Sequence, residues 1–559
     1  MAPKTYLPAD EDAYSRRELV FPSLTAEQVE RSLPYGEICH FKAGETIYER
    51  GTRDVQLMIV LSGSVLMVGP SPSGGGENII TIHQAGEFTG ELDLFTQREA
   101  LVSARAATDT KLLRIGRRRF REYVAAETDI SDLIMRAAIL RRLGLVQHKQ
   151  VGALVLGPGR ATNTLRLEQF FSRNGYPYLL KDTETDGDAE LLAGTFNLTL
   201  AELPVVISGT CVYRNPDIAV LADALGISEE VNEGDVFDVA VVGAGPAGLA
   251  ASVYAASEGL STVVIEGNAP GGQAGTSSRI ENYLGFPSGI SGLELATRAQ
   301  TQAQKFGARL LISRNVAGVD CSSHPFRLTL EGGKTLQARS VVVATGARYR
   351  KLNVSNYSRF EMDGLHYSAT AIEARLCSGE EVIVVGGGNS AGQAAMYLSG
   401  YAKHVHILIR GAELASTMSD YLVQRIDSSM HITLHPQCEI TELAGEEHLR
   451  EVTWTNRSTG EKTTLPVANV FVMIGADPCT EWLDGCVQLD EKGFVVTGPH
   501  CGQVDSGRYR SSMAGIFAVG DVRSGSVKRV ASGVGEGSVV VADIHQYLKE
   551  LQEAVVPAG

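Results

Sequence analysis

One structural plan occurs twice in this chain. Asp238-Val-Ala-Val-Val-Gly-Ala-Gly-Pro-Ala-Gly248 and Glu381-Val-Ile-Val-Val-Gly-Gly-Gly-Asn-Ser-Ala391 each read as a buried strand, a glycine turn and the start of a helix. A second apolar strand follows each copy, Thr262–Ile265 after the first and His406–Ile409 after the second. A strand that returns through a helix to lie beside itself in the same direction makes a parallel βαβ unit. Two such units commit the chain from Phe237 onward to alternating strands and helices.

The glycines say what these turns are for. Gly243 permits a tight turn, Gly245 lets backbone N–H groups approach a pyrophosphate, and Gly248 lets the helix pack closely on the strand. Pro246 and Ala247 open that helix, whose N-terminus faces the phosphates. Glu266 ends the next strand, where a carboxylate accepts hydrogen bonds from the ribose hydroxyls of an adenosine. The second copy reads Gly386-x-Gly388-x-x-Ala391, with Asn389 and Ser390 opening its helix, and Arg410 ends its following strand. A guanidinium cannot accept from ribose hydroxyls but pairs well with a 2′-phosphate. This favours NADPH over NADH for the second site; the competing reading of Arg410 is a solvated strand end. Two dinucleotide sites in one chain are what electron transfer between two dinucleotides requires.

Composition narrows the partners. Of 559 residues, 44% are hydrophobic and 21% charged, and the net charge of −15 leaves no basic surplus to neutralise phosphates. Neither nucleic acid nor membrane is an expected partner, and no apolar stretch is long enough to span a bilayer. The segment Met1 to Glu18 is polar and mixed in charge, unlike a signal peptide. Eight scattered cysteines, none in a Cys-x-x-Cys pair, fit a reducing compartment with structural thiols and not a disulfide framework. A cytoplasmic location is expected, and no metal site is.

The part from about residue 236 to 550 resembles bacterial thioredoxin reductase, within the two-dinucleotide flavoprotein superfamily. The resemblance is carried by Gly243–Gly248, by Gly271-Gly-Gln273 with Thr276 and Asn282, and by Ala344-Thr-Gly346. It continues through Gly386–Ala391 to Gly520-Asp521 and Arg529-Val-Ala531. It implies FAD on the first unit, with Gly272, Gln273 and Asn282 around the flavin and ribityl region. Asp521, beside Gly520, would bind the ribityl chain, and Arg529 and Val530 would lie along the isoalloxazine edge. Ala344-Thr-Gly346 would mark the crossing into an inserted NADPH domain and Ile474-Gly-Ala476 the return. A homodimer is also implied.

That family carries a Cys-x-x-Cys just ahead of the NADPH-binding strand. The corresponding stretch here is Tyr367-Ser368-Ala369-Thr370-Ala371, so Ser368 and Ala371 occupy the two sulfur positions. Serine neither forms a disulfide nor attacks one at neutral pH, because the competent nucleophile is a thiolate. Cys377 has no partner nearby in sequence, Cys479 and Cys486 are too far apart for a vicinal motif, and Cys321, Cys438 and Cys501 have no distinguishing context.

Residues from about 20 to 145 hold short apolar strands punctuated by Gly44, Gly51, Gly63, Gly86 and Gly90, then a helical run, Ile130 to Leu145. This predicts a small β-roll. Lys42-Ala-Gly-Glu45 with Gly51, Leu61-Ser-Gly-Ser-Val65 and Phe88-Thr-Gly-Glu-Leu-Asp-Leu94 resemble a cyclic-nucleotide-binding domain. That implies Gly90 and Glu91 near the ribose and Arg98 on the cyclic phosphate. The Glu91–Arg98 interval is shorter than usual, and Glu99 stands where a small residue is normal, so a carboxylate would repel the phosphate. The domain reads as a docking module that has kept its fold, with nucleotide binding as the alternative.

After it, Val151–Leu156 reads as a strand, Thr164–Asn174 as a helix, Tyr178–Asp182 and Leu203–Ile207 as strands, and Pro216–Leu225 as a helix. Glu202-Leu-Pro-Val-Val206 resembles the glutaredoxin or thioredoxin fold, implying a cis-proline at Pro204, while the first strand–helix junction, Pro158 to Asn163, lacks cysteine. Ser228–Asp235 reads as an acidic linker.

The expected architecture is therefore multidomain: an N-terminal β-roll, a small thioredoxin-like α/β domain, then two Rossmann-like three-layer FAD and NAD(P)H domains. The expected boundaries are a tail at 1–19, the β-roll at 20–145, the thioredoxin-like domain at 151–228, a discontinuous FAD domain at 236–346 and 475–559, and the NADPH domain at 347–474. The expected function is NADPH-dependent FAD oxidoreduction toward an acceptor that is not a dithiol of this chain, small molecule or protein, with a nucleotide effector at the N-terminal domain as the alternative to its docking role. Two other readings stand beside it: a thioredoxin-disulfide reductase using other thiols, and a redox or nucleotide sensor with little turnover.

Overall fold

The computed structural model describes residues 17–555 apart from 71–76, 92–97, 149–151, 188, 190–197, 209–210, 233, 278, 362–363, 415–417, 447, 484 and 502–506. Most of the expected N-terminal tail, the end of the Phe88–Leu94 motif and Val151 thus lie outside the described residues. The chain divides into two compact units, one made chiefly of residues 1–231 and the other chiefly of residues 232–559.

The first unit begins with a roll of two four-stranded antiparallel sheets. One sheet runs Glu37–Phe41, Thr110–Ile115, Leu57–Ser62, Phe88–Thr89; the other runs Thr46–Tyr48, Ser103–Ala106, Val65–Pro70, Glu77–His83. Alternating burial along Ser103–Ala106 puts one face of that strand inside. The roll is closed by a helix, Thr128–His148, slightly longer than the run read from sequence. Its Ile130, Ile134 and Ala137 pack with Leu57, Ile59, Leu113 and Phe120. Beyond the roll, four strands lie in the order Tyr178–Asp182, Ala153–Gly157, Val205–Ser208, Cys211–Arg214. The first pair is parallel and the others are antiparallel. Helices Thr162–Arg173 and Ile218–Ala224 accompany them; Asp217 caps the second through the N–H groups of Ala219 and Val220. The Leu203–Pro204 bond is cis, and the strand after it starts only at Val205.

The acidic segment Ser228–Asp235, expected as a linker, contains the boundary between the two units, and its first two residues are held in place. Ser228 is buried and its Oγ accepts from the Ile312 N–H (3.1 Å), while the Glu229 N–H donates to the Leu310 carbonyl (3.0 Å). Burial raises the Glu229 carboxyl above the ordinary glutamate range, against hydrogen bonds from Gln304 and the Leu310 N–H. The hydrogen bonds that Ser228 and Glu229 make with the strand Arg309–Ile312 draw the start of the segment inward.

The second unit holds both repeats. In the first, Thr262–Glu266, Val236–Val242, Thr335–Val343 and Ile516–Ala518 run parallel, and Phe326–Leu330 and Val316–Asp320 extend the sheet antiparallel. In the second, Leu365–His366, Asn469–Val472, Glu381–Val385, His404–Leu408 and Ile432–His435 form a wholly parallel sheet. An antiparallel three-stranded sheet, Cys438–Ala444, Glu451–Asn456 and Lys462–Leu465, packs beside it. Both central strands bury four consecutive apolar residues, Val239–Val242 and Val382–Val385, because a parallel sheet is covered on both faces. Among the described residues no helix is long and apolar enough to cross a membrane.

The helix Val530–Val555 lies against Pro246–Ser257, the helix of the first repeat. Their approach is set by Gly537: a Cβ there would come within 2.1 Å of the Ala247 carbonyl oxygen. Nothing lies within 4 Å of the corresponding position at Gly535. Gly537→Ala should therefore cost about 2 kcal/mol in urea unfolding through overpacking, whereas Gly535→Ala should be neutral or gain up to about 1 kcal/mol from helix propensity.

Candidate functional site

The first repeat builds a cradle from backbone. Strand Val236–Val242 ends at Gly243, which has φ +104° and donates its N–H to the Ile265 carbonyl (2.8 Å). A Cβ on Gly243 would stand 2.3 Å from the Ala344 oxygen, so the turn is pressed against the end of the neighbouring strand. Gly245 is the N-cap of the next helix, and no side chain caps its first N–H groups. Space beside Gly245 is open, so these donors are available to an anion. Gly248 sits so close to the Gly243 carbonyl that a Cβ would come within 1.9 Å.

Opposite this turn, the Gly271 N–H donates to the Ala244 carbonyl (2.7 Å), and a Cβ on Gly272 would lie 3.0 Å from the Gly245 Cα. Two glycine turns thus bracket one space. The buried Glu266 carboxylate accepts from the Ala244 N–H through Oε2 (2.7 Å) and from the Asn268 N–H through Oε1 (2.9 Å). These bonds fix the carboxylate at the strand end, and each oxygen keeps a lone pair for a ribose hydroxyl. Gln273 donates its side-chain amide to the Ala347 carbonyl, and Asn282 is exposed. The uncapped helix, bracketed space and held carboxylate fit the ADP half of FAD.

Gly520-Asp521 lies in the short turn Gly520–Val522 after Ile516–Ala518. The Gly520 N–H donates to Glu536 Oε2 (2.7 Å), and Arg523 holds both Glu536 oxygens, Nη2 to Oε1 at 2.6 Å and Nε to Oε2 at 3.2 Å. Glu536 is thus the buried post on which this turn hangs, and sequence reasoning missed it. Its one signal was being the sole charged residue between Arg529 and Asp543. Lys528 Nζ donates to the Asp521 carbonyl (2.6 Å). Burial raises the Asp521 carboxyl, opposed by the Lys528 charge. Arg529 is exposed just ahead of Val530, the first residue of the long helix.

The second repeat copies the first. Gly386, at φ +142°, donates to the Leu408 carbonyl (3.0 Å), and a Cβ there would lie 2.2 Å from the Met473 oxygen. Gly388 caps the helix Asn389–Leu398 without a side-chain hydrogen bond and faces open space. Asn389 Oδ1 accepts from the Ser419 N–H (2.8 Å), tying the helix start to the next loop; Ser390 is exposed and Ala391 is core. Arg410 is exposed two residues beyond Leu408. This arrangement fits a dinucleotide pyrophosphate with a cation near its adenosine ribose. The two domains join through paired antiparallel segments, Ala347–Tyr349 and Ala476–Pro478, backed by Thr345 Oγ1 donating to the Cys479 carbonyl (2.7 Å).

Ser368 and Ala371 flank a helix start. Thr370 is the N-cap of Ala371–Leu376 and Glu373 closes the capping box, its carboxylate accepting from the Thr370 N–H (2.9 Å). Cys377, at the end of that helix, is fully buried, and burial pushes its thiol up to about 12. Burial also raises Cys438, Cys479 and Cys501. One expectation about the cysteines changes: Cys321 and Cys486 form a disulfide. They are separated by 165 residues, so no spacing pattern could have announced the pair.

In the N-terminal roll, Gly90 and Glu91 line a cavity, but Arg98 is not on its wall. Glu91 Oε1 accepts from Arg141 Nη1 at 2.7 Å, and Arg98 donates to the Asn174 carbonyl (3.2 Å). Arg141, on the helix Thr128–His148, was not anticipated, since nothing in a long helical run marks one arginine as inward-facing.

Known proteins match both parts. Residues 237–537 match the family model described as pyridine nucleotide-disulphide oxidoreductase, and residues 38–127 match the cyclic nucleotide-binding domain. The chain is 32% identical over 325 residues to a thioredoxin reductase of Neurospora crassa, covering 56% of this chain and 94% of that protein. It is also 32% identical over 341 residues to NADPH-dependent thioredoxin reductase 3 of Arabidopsis thaliana, covering 59% of this chain but spanning only 62% of the relative's length. Among solved structures, thioredoxin reductase of Lactococcus lactis aligns over 56% of this chain and 99% of its own, with TM-score 0.52 and 28% identity. That of T. acidophilum aligns over the same shares, with TM-score 0.52 and 31% identity. With more than half its length in the first model and two dinucleotide cradles in the matched region, the chain belongs to the pyridine nucleotide-disulphide oxidoreductase family, as a thioredoxin-reductase-like, FAD-dependent NAD(P)H oxidoreductase fused to a cyclic-nucleotide-binding-type domain.

Proposed function

We propose that this chain uses NADPH to reduce FAD and passes the electrons to an acceptor other than a dithiol of its own. Bound cofactors would supply the hydride donor and the two-electron carrier; the chain supplies orientation and access. Gly243, Gly245, Gly248 and Gly272 would bind the FAD pyrophosphate, Glu266 its ribose, and the Glu536-anchored Gly520–Val522 turn the ribityl side. Gly386, Gly388 and the helix from Asn389 would bind the NADPH pyrophosphate, with Arg410 on the 2′-phosphate.

The observation that carries this reading is the state of the thiols. Where the family has its dithiol, Ser368 and Ala371 flank a capped helix turn. The described thiols of the flavoprotein unit are either disulfide-bonded or shifted by burial away from the reactive thiolate. Turnover with ferricyanide or a quinone should therefore survive exhaustive alkylation at pH 8, and Cys377→Ser should leave it unchanged. Loss of turnover on alkylation would favour a disulfide reductase using other thiols.

The remainder of the chain fits a regulatory role. Strand order and the parallel first pair support a thioredoxin-like fold for residues 151–228, without cysteine at its first strand–helix junction. The paired domains of the family favour a homodimer and a protein or small-molecule acceptor, and the N-terminal domain an effector.

Arg410 gives a second test. Arg410→Ala should raise KM for NADPH by about tenfold or more, the worth of a charge-assisted contact, and leave KM for NADH nearly unchanged. Equal losses with both cofactors would return Arg410 to the role of a solvated strand end.

A further inference from the structure

The Cys321–Cys486 disulfide has no part in either glycine cradle. Cys321 follows the strand Val316–Asp320, and Cys486 lies eight residues beyond the linker Ala476–Pro478. The linker Ala347–Tyr349 and the whole second repeat are therefore inside the 165-residue loop that the bond closes. Val316–Asp320 is the outer strand of its sheet. Asp320 pairs with Arg327, Arg327 with Gln337, and Gln337 with Val236. The bond is thus level with the beginning of the strand whose far end carries Gly243, about 20 Å further along, and so is remote from the phosphate turn.

Both cysteines are partly exposed, whereas Cys377 is fully buried, so a reagent in solution can reach this pair. The turn that ends on Cys486 is held mostly by itself. The Leu483 N–H donates to the Thr480 carbonyl (3.0 Å) and the Cys486 N–H to the Leu483 carbonyl (2.8 Å). Trp482 and Leu483 pack inward, and the Trp482 indole N–H has no partner among the described residues. At its start the turn meets the first linker: the Cys479 N–H donates to the Gly346 carbonyl (3.1 Å), and Glu481 forms an exposed ion pair with Arg348. Exposed pairs of this kind hold weakly. The disulfide is the strong fastening between this turn and the sheet edge. Cys486 Sγ also stands 3.5 Å from the Val319 carbonyl oxygen, an acceptor that the sulfur can use only as a thiol.

We propose that Cys321–Cys486 is a reversible thiol–disulfide exchange site, reduced from outside by a dithiol and not by this chain's own flavin, and that its state sets how firmly the turn from Cys479 to Cys486 is held. A thiolate of the dithiol attacks one sulfur of the pair, and the other leaves as a thiolate and takes up a proton. The reductant's second thiolate then attacks the mixed disulfide and frees the remaining cysteine. The dithiol is oxidised to its disulfide, and two electrons and two protons end on Cys321 and Cys486. Reduction loosens the fold locally and does not undo it, because the turn keeps its own hydrogen bonds and Cys486 gains the Val319 carbonyl. The exchange needs no bound cofactor, so it is tested separately from the flavin chemistry.

The test takes the full-length protein, first oxidised with glutathione disulfide, and exposes it in the native state to millimolar dithiothreitol. Thiols are then alkylated in denaturant and located by mass spectrometry, and hydrogen exchange is measured on both states. Neither Cys321 nor Cys486 should be alkylated before reduction, and both should be after it. NADPH alone, without oxygen, should leave both unlabelled. The peptide from Cys479 to Cys486 should exchange about tenfold faster in the reduced protein, as a local opening would, with the helix Pro246–Ser257 unchanged. The double variant Cys321→Ser/Cys486→Ser should exchange like the reduced protein and ignore dithiothreitol. Should that variant fail to fold, the wild-type protein decides alone. Labelling of either cysteine in the oxidised sample, resistance of the native bond to dithiothreitol, reduction by NADPH alone, or equal exchange in the two states would each overturn the proposal.

Discussion

The flavoprotein part depends on the pressing of a turn glycine against a neighbouring strand's last carbonyl. Gly243 meets the Ala344 oxygen and Gly386 meets the Met473 oxygen, in each case at a distance that leaves no room for a Cβ. Those carbonyls lie just before the two segments that link the domains, Ala347–Tyr349 and Ala476–Pro478. Each phosphate turn is therefore in contact with the exit from its own domain. Its shape, the start of the following helix and the path of the linker are set together, because a packed contact of this kind does not deform gradually.

A similar logic governs how the anion sites are left available. Both nucleotide helices start on a glycine and neither has a side-chain cap. The helix at Ala371 is capped twice over by Thr370 and Glu373. Open donors can take a phosphate, whereas the donors at the start of the Ala371 helix are already satisfied. The Glu536–Arg523 pair serves the turn at Gly520 in the same sense, holding one backbone N–H and one cation in a buried geometry.

Much of this was legible in sequence where it depended on local pattern. The glycine turns, the placing of Glu266 at a strand end and strands such as Tyr178–Asp182 follow from residue type and spacing over a few positions. What escaped depended on distant parts of the chain. Glu536 reaches back 16 residues to Gly520, Arg141 reaches 50 residues to Glu91, and Cys321 finds Cys486 across 165.

The central claim is that this flavoprotein has no dithiol in series with its flavin. Anaerobic titration of the oxidised holoenzyme with NADPH counts the electron places directly. One NADPH consumed per FAD, with the flavin absorbance fully bleached at that point, is the expected result. Uptake of a second equivalent, with bleaching delayed until it is added, would reveal a redox-active disulfide and contradict it.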